Sequence, residues 1–256
     1  MAPPQPLRLA VLECDNAQPN TVCKYTNYTG VFTSLLDDAA SSAPSPSPLS
    51  SLLTISTYNI LNHPNTYPCL DDIDAILITG SRHTAFDNHP WILKLLRFVT
   101  RALDTNRVKV VGICFGHQII GRALGAGVET SDKGWEVAVT EVELNDAGKE
   151  FFGKEKLRLH QMHRDIVNEF PKDAIPLGSN AFCQVQAMYK PGQYFSVQGH
   201  PEFTEDIISE ILVNRHRAGI FDDAVYDVGI ATAPNPHDGV VVGRAILKFI
   251  CGEEWI

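Results

Sequence analysis

Four short runs of aliphatic and β-branched residues, Leu7 to Leu12, Leu53 to Thr57, Ala75 to Thr79 and Lys109 to Cys114, constrain the fold of this chain more than any other feature. Each reads as a strand buried on both faces, where side chains need not alternate between apolar and polar. Between them, Val31 to Ala39, His89 to Leu103 and Gly116 to Leu124 carry helical spacing. Strand and helix in alternation predict crossover units, and so an α/β fold with a doubly wound, mostly parallel sheet flanked by helices.

After Gly134 the texture changes. Residues 135–144 alternate apolar with polar, the pattern of a half-exposed strand. Lys156 to Leu159, Gln184 to Tyr189 and Tyr194 to Val197 read as further strands, so a small antiparallel edge sheet is expected beside the parallel one. A helix is expected over Glu205 to Arg217 and a closing helix over Val240 to Cys251. The Ser/Pro-rich stretch 41–51 is the one low-complexity piece. A strand follows it at once, so it reads as a mobile surface loop inside a single domain spanning 1–256.

A formal net charge of −9 argues against nucleic acid or an anionic membrane surface as partner, since both need clustered Lys and Arg, and favours a small-molecule substrate. Residues 1–15 lack the basic region and apolar stretch of a signal peptide, and no run reaches the ~18 apolar residues of a membrane span, so a cytoplasmic protein is expected. The six cysteines form no CxxC pair and are expected to be free thiols in a reducing compartment.

One of those cysteines stands apart. A strand ending in Gly112-Ile113-Cys114-Phe115-Gly116 and running straight into a helix has the geometry of a nucleophile elbow, where small residues permit the tight turn. At a helix N-terminus the dipole and free N–H groups favour the thiolate, the reactive form, and the Phe115 N–H becomes an oxyanion donor. From the pentad alone, Cys114 reads equally as an inert core thiol. A base is required, and His200 is the histidine best placed. It ends an apolar strand, Pro201 after it favours extended backbone, and Glu202, two residues on, projects to the same side and can orient the imidazole. Cysteine, histidine and acid in that order, each at a strand terminus, form the constellation of a base-activated thiol.

These residues resemble the class I glutamine amidotransferase family of the triad type. The resemblance is carried by residues 112–118 and 199–202, by Thr79-Gly80-Ser81 after a strand, and by Met162-His163-Arg164-Asp165. It implies that Cys114 attacks a γ-glutamyl amide, with His200 as base and then acid, Glu202 as its orienter, and N–H groups at Gly80 or Ser81 and at Phe115 as the oxyanion hole. It also implies that Gln118 and His163 to Asp165 line the glutamine pocket. Two departures bear on substrate choice: Gly80-Ser81-Arg82 stands where the family has Gly-Gly-Pro, and Met162-His163-Arg164-Asp165 where it has Ser-His-Gly-Asp. Arg82 and Arg164 are therefore candidates to contact a substrate carboxylate. No GxxxxGK[ST] loop for an ATP-using synthase is present, which resembles the stand-alone branch that includes γ-glutamyl peptidases.

No cofactor and no metal are expected. His160 and His163, three apart, lack a third ligand, and Gly125 to Glu129 follows a helix, unlike a dinucleotide loop. The candidate functions are a cysteine hydrolase of glutamine or of γ-glutamyl peptides, and a glutaminase subunit silent until it meets a synthase partner. A chaperone-like relative with only the cysteine elbow is disfavoured by His200-Pro201-Glu202.

Overall fold

The protein is seen here as a computed structural model that describes residues 5–252. Residues 1–4 and 253–256 of the expected 1–256 unit lie outside the described residues. The strands are β1 (Leu7–Glu13), β2 (Leu53–Asn59), β3 (Ala75–Ile78), β4 (Lys109–Ile113), β5 (Val128–Thr130), β6 (Glu136–Leu144), β7 (Lys156–His163), β8 (Asp165–Val167), β9 (Ile175–Ser179), β10 (Ala187–Lys190) and β11 (Tyr194–Val197). The helices are α1 (Pro19–Tyr25), α2 (Tyr28–Ser41), α3 (Leu49–Leu52), α4 (Pro90–Asp104), α5 (Phe115–Ala123), α6 (Asp146–Phe152), α7 (Glu205–Arg217), α8 (Asp223–Thr232) and α9 (Gly239–Cys251).

Nine strands form one sheet in the order β2-β1-β3-β4-β11-β10-β9-β6-β7, and β5 pairs with β8 in a separate antiparallel ribbon. From β2 to β11 every neighbouring pair is parallel, and from β11 to β7 every pair is antiparallel. The sheet is thus parallel where the apolar runs predicted it, and the antiparallel strands extend the same sheet. Burial follows position. All four residues of β3 are buried, because helices cover both of its faces, whereas β2 at the edge keeps Thr54 and Thr57 exposed.

The sheet separates two apolar layers. On one face α2 and α9 pack through Phe32, Leu36, Val242 and Ile246, and on the other α4 and α5 pack through Ile92, Leu95, Val99 and Ile119. The α4 residues Ile92, Leu95, Phe98, Val99 and Ala102 recur at three- and four-residue spacing, which places them on one side of a helix begun by Pro90 at its first turn. A third cluster, including Phe203, Ile208, Leu212 and Met162, seats α7 and α8 against β6 and β7. Among the described residues no helix is long and apolar enough to cross a membrane, and all six cysteines are free.

Several boundaries differ from the sequence pattern. Residues 49–51 of the Ser/Pro stretch belong to α3, with Leu49 buried, and Ala43 is buried as well, so the stretch is partly anchored. Leu49 is its first large apolar residue, and burying it fixes the helical turn that feeds β2. Gln184 to Gln186 lie outside β10, where Gln186 instead uses its side chain in a buried polar cluster. The strands β5, β8 and β9 and the helices α1 and α6 are short, and α8 buries only Gly229, so none presents a periodic apolar face that announces it. Asn145 and Asp222 cap α6 and α8 through their side chains.

That polar cluster holds the antiparallel half together. The buried Glu136 carboxylate accepts from Thr140 Oγ1 at 2.6 Å, Asn180 Nδ2 at 2.6 Å and Gln186 Nε2 at 2.9 Å, and pairs with His163 Nε2 at 2.9 Å. Burial by itself would raise the Glu136 pKa, but His163 and the hydroxyl and amide donors outweigh it and hold the carboxyl below its usual range. A depressed carboxylate contributes stability that is present above the unfolded value near 4.5 and lost as pH falls through the folded value. We expect Glu136→Ala to cost about 3–5 kcal/mol in urea unfolding at neutral pH. Glu136→Gln should flatten the loss of stability between pH 5 and pH 3 (roughly the window set by a depressed carboxylate), and equal acid sensitivity of wild type and Glu136→Gln would contradict this assignment.

Candidate active site

The site forms at the carboxyl ends of the parallel strands, where β1, β3, β4 and β11 all deliver their following loops to one edge. Cys114 sits between β4 and α5 with φ 51° and ψ −102°, a conformation that non-glycine residues adopt only under constraint. The constraint is visible on both sides of the residue. Its N–H donates to Val197 O at 3.0 Å at the end of β11, and its carbonyl accepts from Gln118 N at 3.0 Å in the first turn of α5.

The flanking glycines let the helix press onto the sheet. A Cβ on Gly116 would lie 2.3 Å from Ile78 O of β3, and one on Gly112 would lie 2.6 Å from both Gly116 O and the Ile120 side chain. Any side chain at either position would push α5, and with it Cys114, away from the sheet.

The loop after β11 carries His200 and Glu202. His200 N donates to His160 O at 2.7 Å, which pins the loop to β7. The imidazole Nδ1 lies 2.8 Å from Glu202 Oε1, and both side chains are buried. Phe203 stacks on the ring at 4.0 Å between centroids, and Gly80 touches its other surroundings so closely that a Cβ there would lie 2.6 Å from His200 Cε1. With Nδ1 committed to Glu202, Nε2 is the nitrogen left for Cys114. Burial opposes a charge on this ring. The Glu202 carboxylate and then the Cys114 sulfur, through charge and hydrogen bonding, override it and push His200 up to about 10. The pairing with Glu202 therefore favours the protonated imidazole.

Behind the site, His160 and His117 are held neutral by burial, each driven down to about 3. His160 packs beside His237 and His163 turns to Glu136, so the two do not converge on a common point.

Opposite Cys114, the turn after β3 is fixed by side chains while the N–H groups of Gly80 and Ser81 stay unengaged. Thr79 Oγ1 accepts from Cys14 N at 3.0 Å and donates to Gly80 O at 3.0 Å, and Ser81 Oγ donates to Cys14 O at 2.8 Å. Among the described residues, no acceptor meets the N–H of Gly80, Ser81 or Phe115. Phe115 is the first residue of α5, where an N–H has no partner within the helix.

A cleft of about 450 Å³ opens onto Cys114, Ser81, Arg82, Gln118 and the 163–165 segment. Gln118 spends its amide N–H groups on Asp165 O at 2.7 Å and Gln198 Oε1 at 3.1 Å, which joins α5 to that segment and leaves Oε1 as the atom able to face a ligand. Asp165 Oδ1 accepts from Thr130 Oγ1. Arg164 lays its guanidinium over the Trp135 ring at 5.3 Å. Arg82 reaches the cleft too, but its Nε and Nη2 both bind Asp15, at 2.8 Å and 2.7 Å, and its backbone N–H donates to the same carboxylate.

Sequence reasoning missed Asp15, Tyr28, Trp135 and Arg215, all of which face the cleft. Asp15 had a usable signal, since it lies just beyond β1 and strand carboxyl ends gather at the site in a parallel sheet. Arg215 had none. It sits in the last turn of an ordinary surface-patterned helix, far from any motif.

The sequence model of the class-I glutamine amidotransferases matches residues 52–215, more than half of the chain. A glutamine amidotransferase-like protein of Schizosaccharomyces pombe is 35% identical over 246 residues, covering 94% of this chain and 98% of the relative. Gamma-glutamyl peptidase 3 of Arabidopsis thaliana is 36% identical over 150 residues, covering 56% of this chain and 60% of the peptidase. The crystal structure of a glutamine amidotransferase from Thermotoga maritima shares the fold, with a TM-score of 0.70 at 15% identity over 96% of this chain and 98% of that one. The chain belongs to the class-I glutamine amidotransferase family.

Proposed function

We propose that the protein is a cysteine hydrolase of γ-glutamyl amides, acting on glutamine or a γ-glutamyl peptide through a γ-glutamyl thioester. The observation that carries this reading is the buried His200–Glu202 pair aimed, through the free Nε2, at a cysteine held in a strained turn on the floor of a cleft. In the proposed reaction Cys114 Sγ, its proton resting on His200, attacks the γ-carbonyl carbon. The N–H groups of Phe115 and of Gly80 or Ser81 receive the oxyanion, at ~3 kcal/mol per donor. Collapse breaks the C–N bond, and His200 passes its proton to the leaving ammonia or amine. The neutral imidazole then takes a proton from water, which attacks the thioester and releases glutamate, and Cys114 returns with the proton back on His200. Glu202 holds the ring in the tautomer that makes both transfers possible.

The sequence similarity to gamma-glutamyl peptidase 3 supports a peptide as leaving group, and the free thiols support a reducing, cytoplasmic setting in which the 1–256 chain works as one domain. No cofactor enters the reaction as drawn.

Incubation with 6-diazo-5-oxo-norleucine, a glutamine mimic, followed by intact-mass measurement should give one adduct on Cys114, absent from Cys114→Ala. If a small general alkylator labels Cys114 but the mimic does not, the free-glutamine reading is rejected. A peptidase whose pocket is shaped for a larger γ-glutamyl compound, or a subunit that waits for a synthase partner, then becomes the better account.

Glu202→Gln keeps the shape of the acid but removes its charge and disturbs the tautomer, and should lower kcat by roughly 10²–10⁴ with KM little changed. In a nitrogen-detected NMR titration, Cys114→Ala should lower the His200 pKa, because the Cys114 sulfur helps to raise it through electrostatics and a hydrogen bond. A pKa raised above the unfolded 6.5 stabilises the fold fully below that value and loses its contribution as pH climbs toward 10. The thermal midpoint of wild type should therefore fall between pH 7 and pH 10 (roughly the window between the two values) more than that of His200→Gln, and an unshifted His200 in Cys114→Ala would break the proposed coupling.

A further inference from the structure

Arg215 poses a question that the triad does not answer. It lines the same cleft as Cys114 and Tyr28, part-buried near the end of α7. Its guanidinium lies over the faces of Trp135 at 5.0 Å and Phe221 at 5.7 Å. Arg164 sits over the same indole at 5.3 Å. Among the described residues neither guanidinium has a carboxylate within ion-pair distance, although the chain carries a net charge of −9. Of the two acids lining the cleft, Asp15 is already held by Arg82, and Asp165 accepts from Thr130 Oγ1 and lies beyond ion-pair distance of either guanidinium.

A guanidinium in a cleft that is not met by a carboxylate bears a desolvation cost that aromatic faces offset only in part. That cost is evident at Arg215, whose pKa burial pushes below the usual arginine range, while the charges of Cys114, Asp15 and Tyr28 pull it back up. Burial distinguishes Arg215, which is half-buried, from the exposed Arg164. Every γ-glutamyl compound brings a carboxylate into this cleft. The α-carboxylate lies four bonds from the carbon under attack, and a peptide leaving group carries a second one at its C-terminus.

We propose that Arg215 is a specificity-determining residue that receives a substrate carboxylate as a charge-assisted pair, with Trp135 and Phe221 holding the guanidinium plane in place. The proposal rests on the reading of the protein as a γ-glutamyl hydrolase. It differs from the sequence expectation, which placed this role on Arg82 or Arg164.

The test uses the full chain carrying Cys114→Ala, so that binding is measured without turnover. Titration calorimetry with glutamine, glutaminamide, γ-glutamylglycine and γ-glutamylglycinamide is compared between Arg215 and Arg215→Gln proteins. The expected result is a tenfold or greater loss of affinity for acid ligands in Arg215→Gln, partly restored in Arg215→Lys and absent for the amide that lacks the contacted carboxylate. If glutaminamide alone is insensitive to the substitution, the α-carboxylate is the partner. If γ-glutamylglycinamide and glutamine are both insensitive, the partner is the leaving-group carboxylate. Arg215→Met, which keeps the stack on Trp135 and Phe221, replaces Arg215→Gln if the latter does not fold.

A loss under twofold for all ligands, or an equal loss for acids and amides, overturns the proposal. In Cys114-intact protein, Arg215-dependent binding without turnover would sink the hydrolytic reading and leave the carboxylate site standing. Normal turnover with unchanged KM in Arg215→Gln would do the reverse, and no binding of any ligand to the Arg215-intact protein would remove both.

Discussion

The turn at Cys114 is the constraint on which the rest of the site depends. A non-glycine residue at φ 51° costs on the order of 1–3 kcal/mol, and nothing within the pentad itself offsets that. The compensation is tertiary. β4 is paired on both sides, by β3 and β11, and α5 buries seven of its nine residues, so relaxing the turn would require unpairing the sheet or lifting the helix. The absence of a side chain at Gly116 lets α5 sit against Ile78, which keeps the helix down on the sheet and its N-terminus directed at the sulfur.

The His200 side of the site is held in a different way. Cys114 is positioned by backbone geometry, whereas His200 is positioned by charge and packing: an ion pair with Glu202, a stack on Phe203 and the nearness of Gly80. Burial opposes a charge on this ring, and the Glu202 carboxylate and the Cys114 sulfur beside it push the His200 pKa up instead. The polar residues just outside it are correspondingly tied off. Gln118, Ser81, Thr79 and Glu136 each spend their side chains on protein partners, which holds the walls of the cleft rigid before any ligand arrives.

The cleft is electrostatically uneven. On one wall Asp15 and Arg82 neutralise each other, and on the other Arg164 and Arg215 share an indole without an acid between them. In a protein with a net charge of −9, two guanidinium groups without a carboxylate partner on the wall of the cleft that holds Cys114 make a local concentration of positive charge.

The buried runs at β1, β3 and β4, the helical spacing of α4 and the glycines around Cys114 were legible because each is a local pattern whose period or composition has one good structural solution. The pairing of His200 with Glu202 was legible because both lie in one short motif. Other features were decided only in three dimensions. The antiparallel strands joined the main sheet because β11 offered them an open edge, and His163 turned to Glu136 because β6 and β7 pair in that register. Arg82 was drawn to Asp15 across 67 residues of chain, and Arg215 entered the cleft because α7 docks its apolar side on β6 and β7. Sequence by itself determined which groups could react, since that is a matter of residue type and local backbone. Only the tertiary structure decided which charges find partners, because an ion pair depends on distance in space, and the spacing of residues along the chain carries no information about that distance.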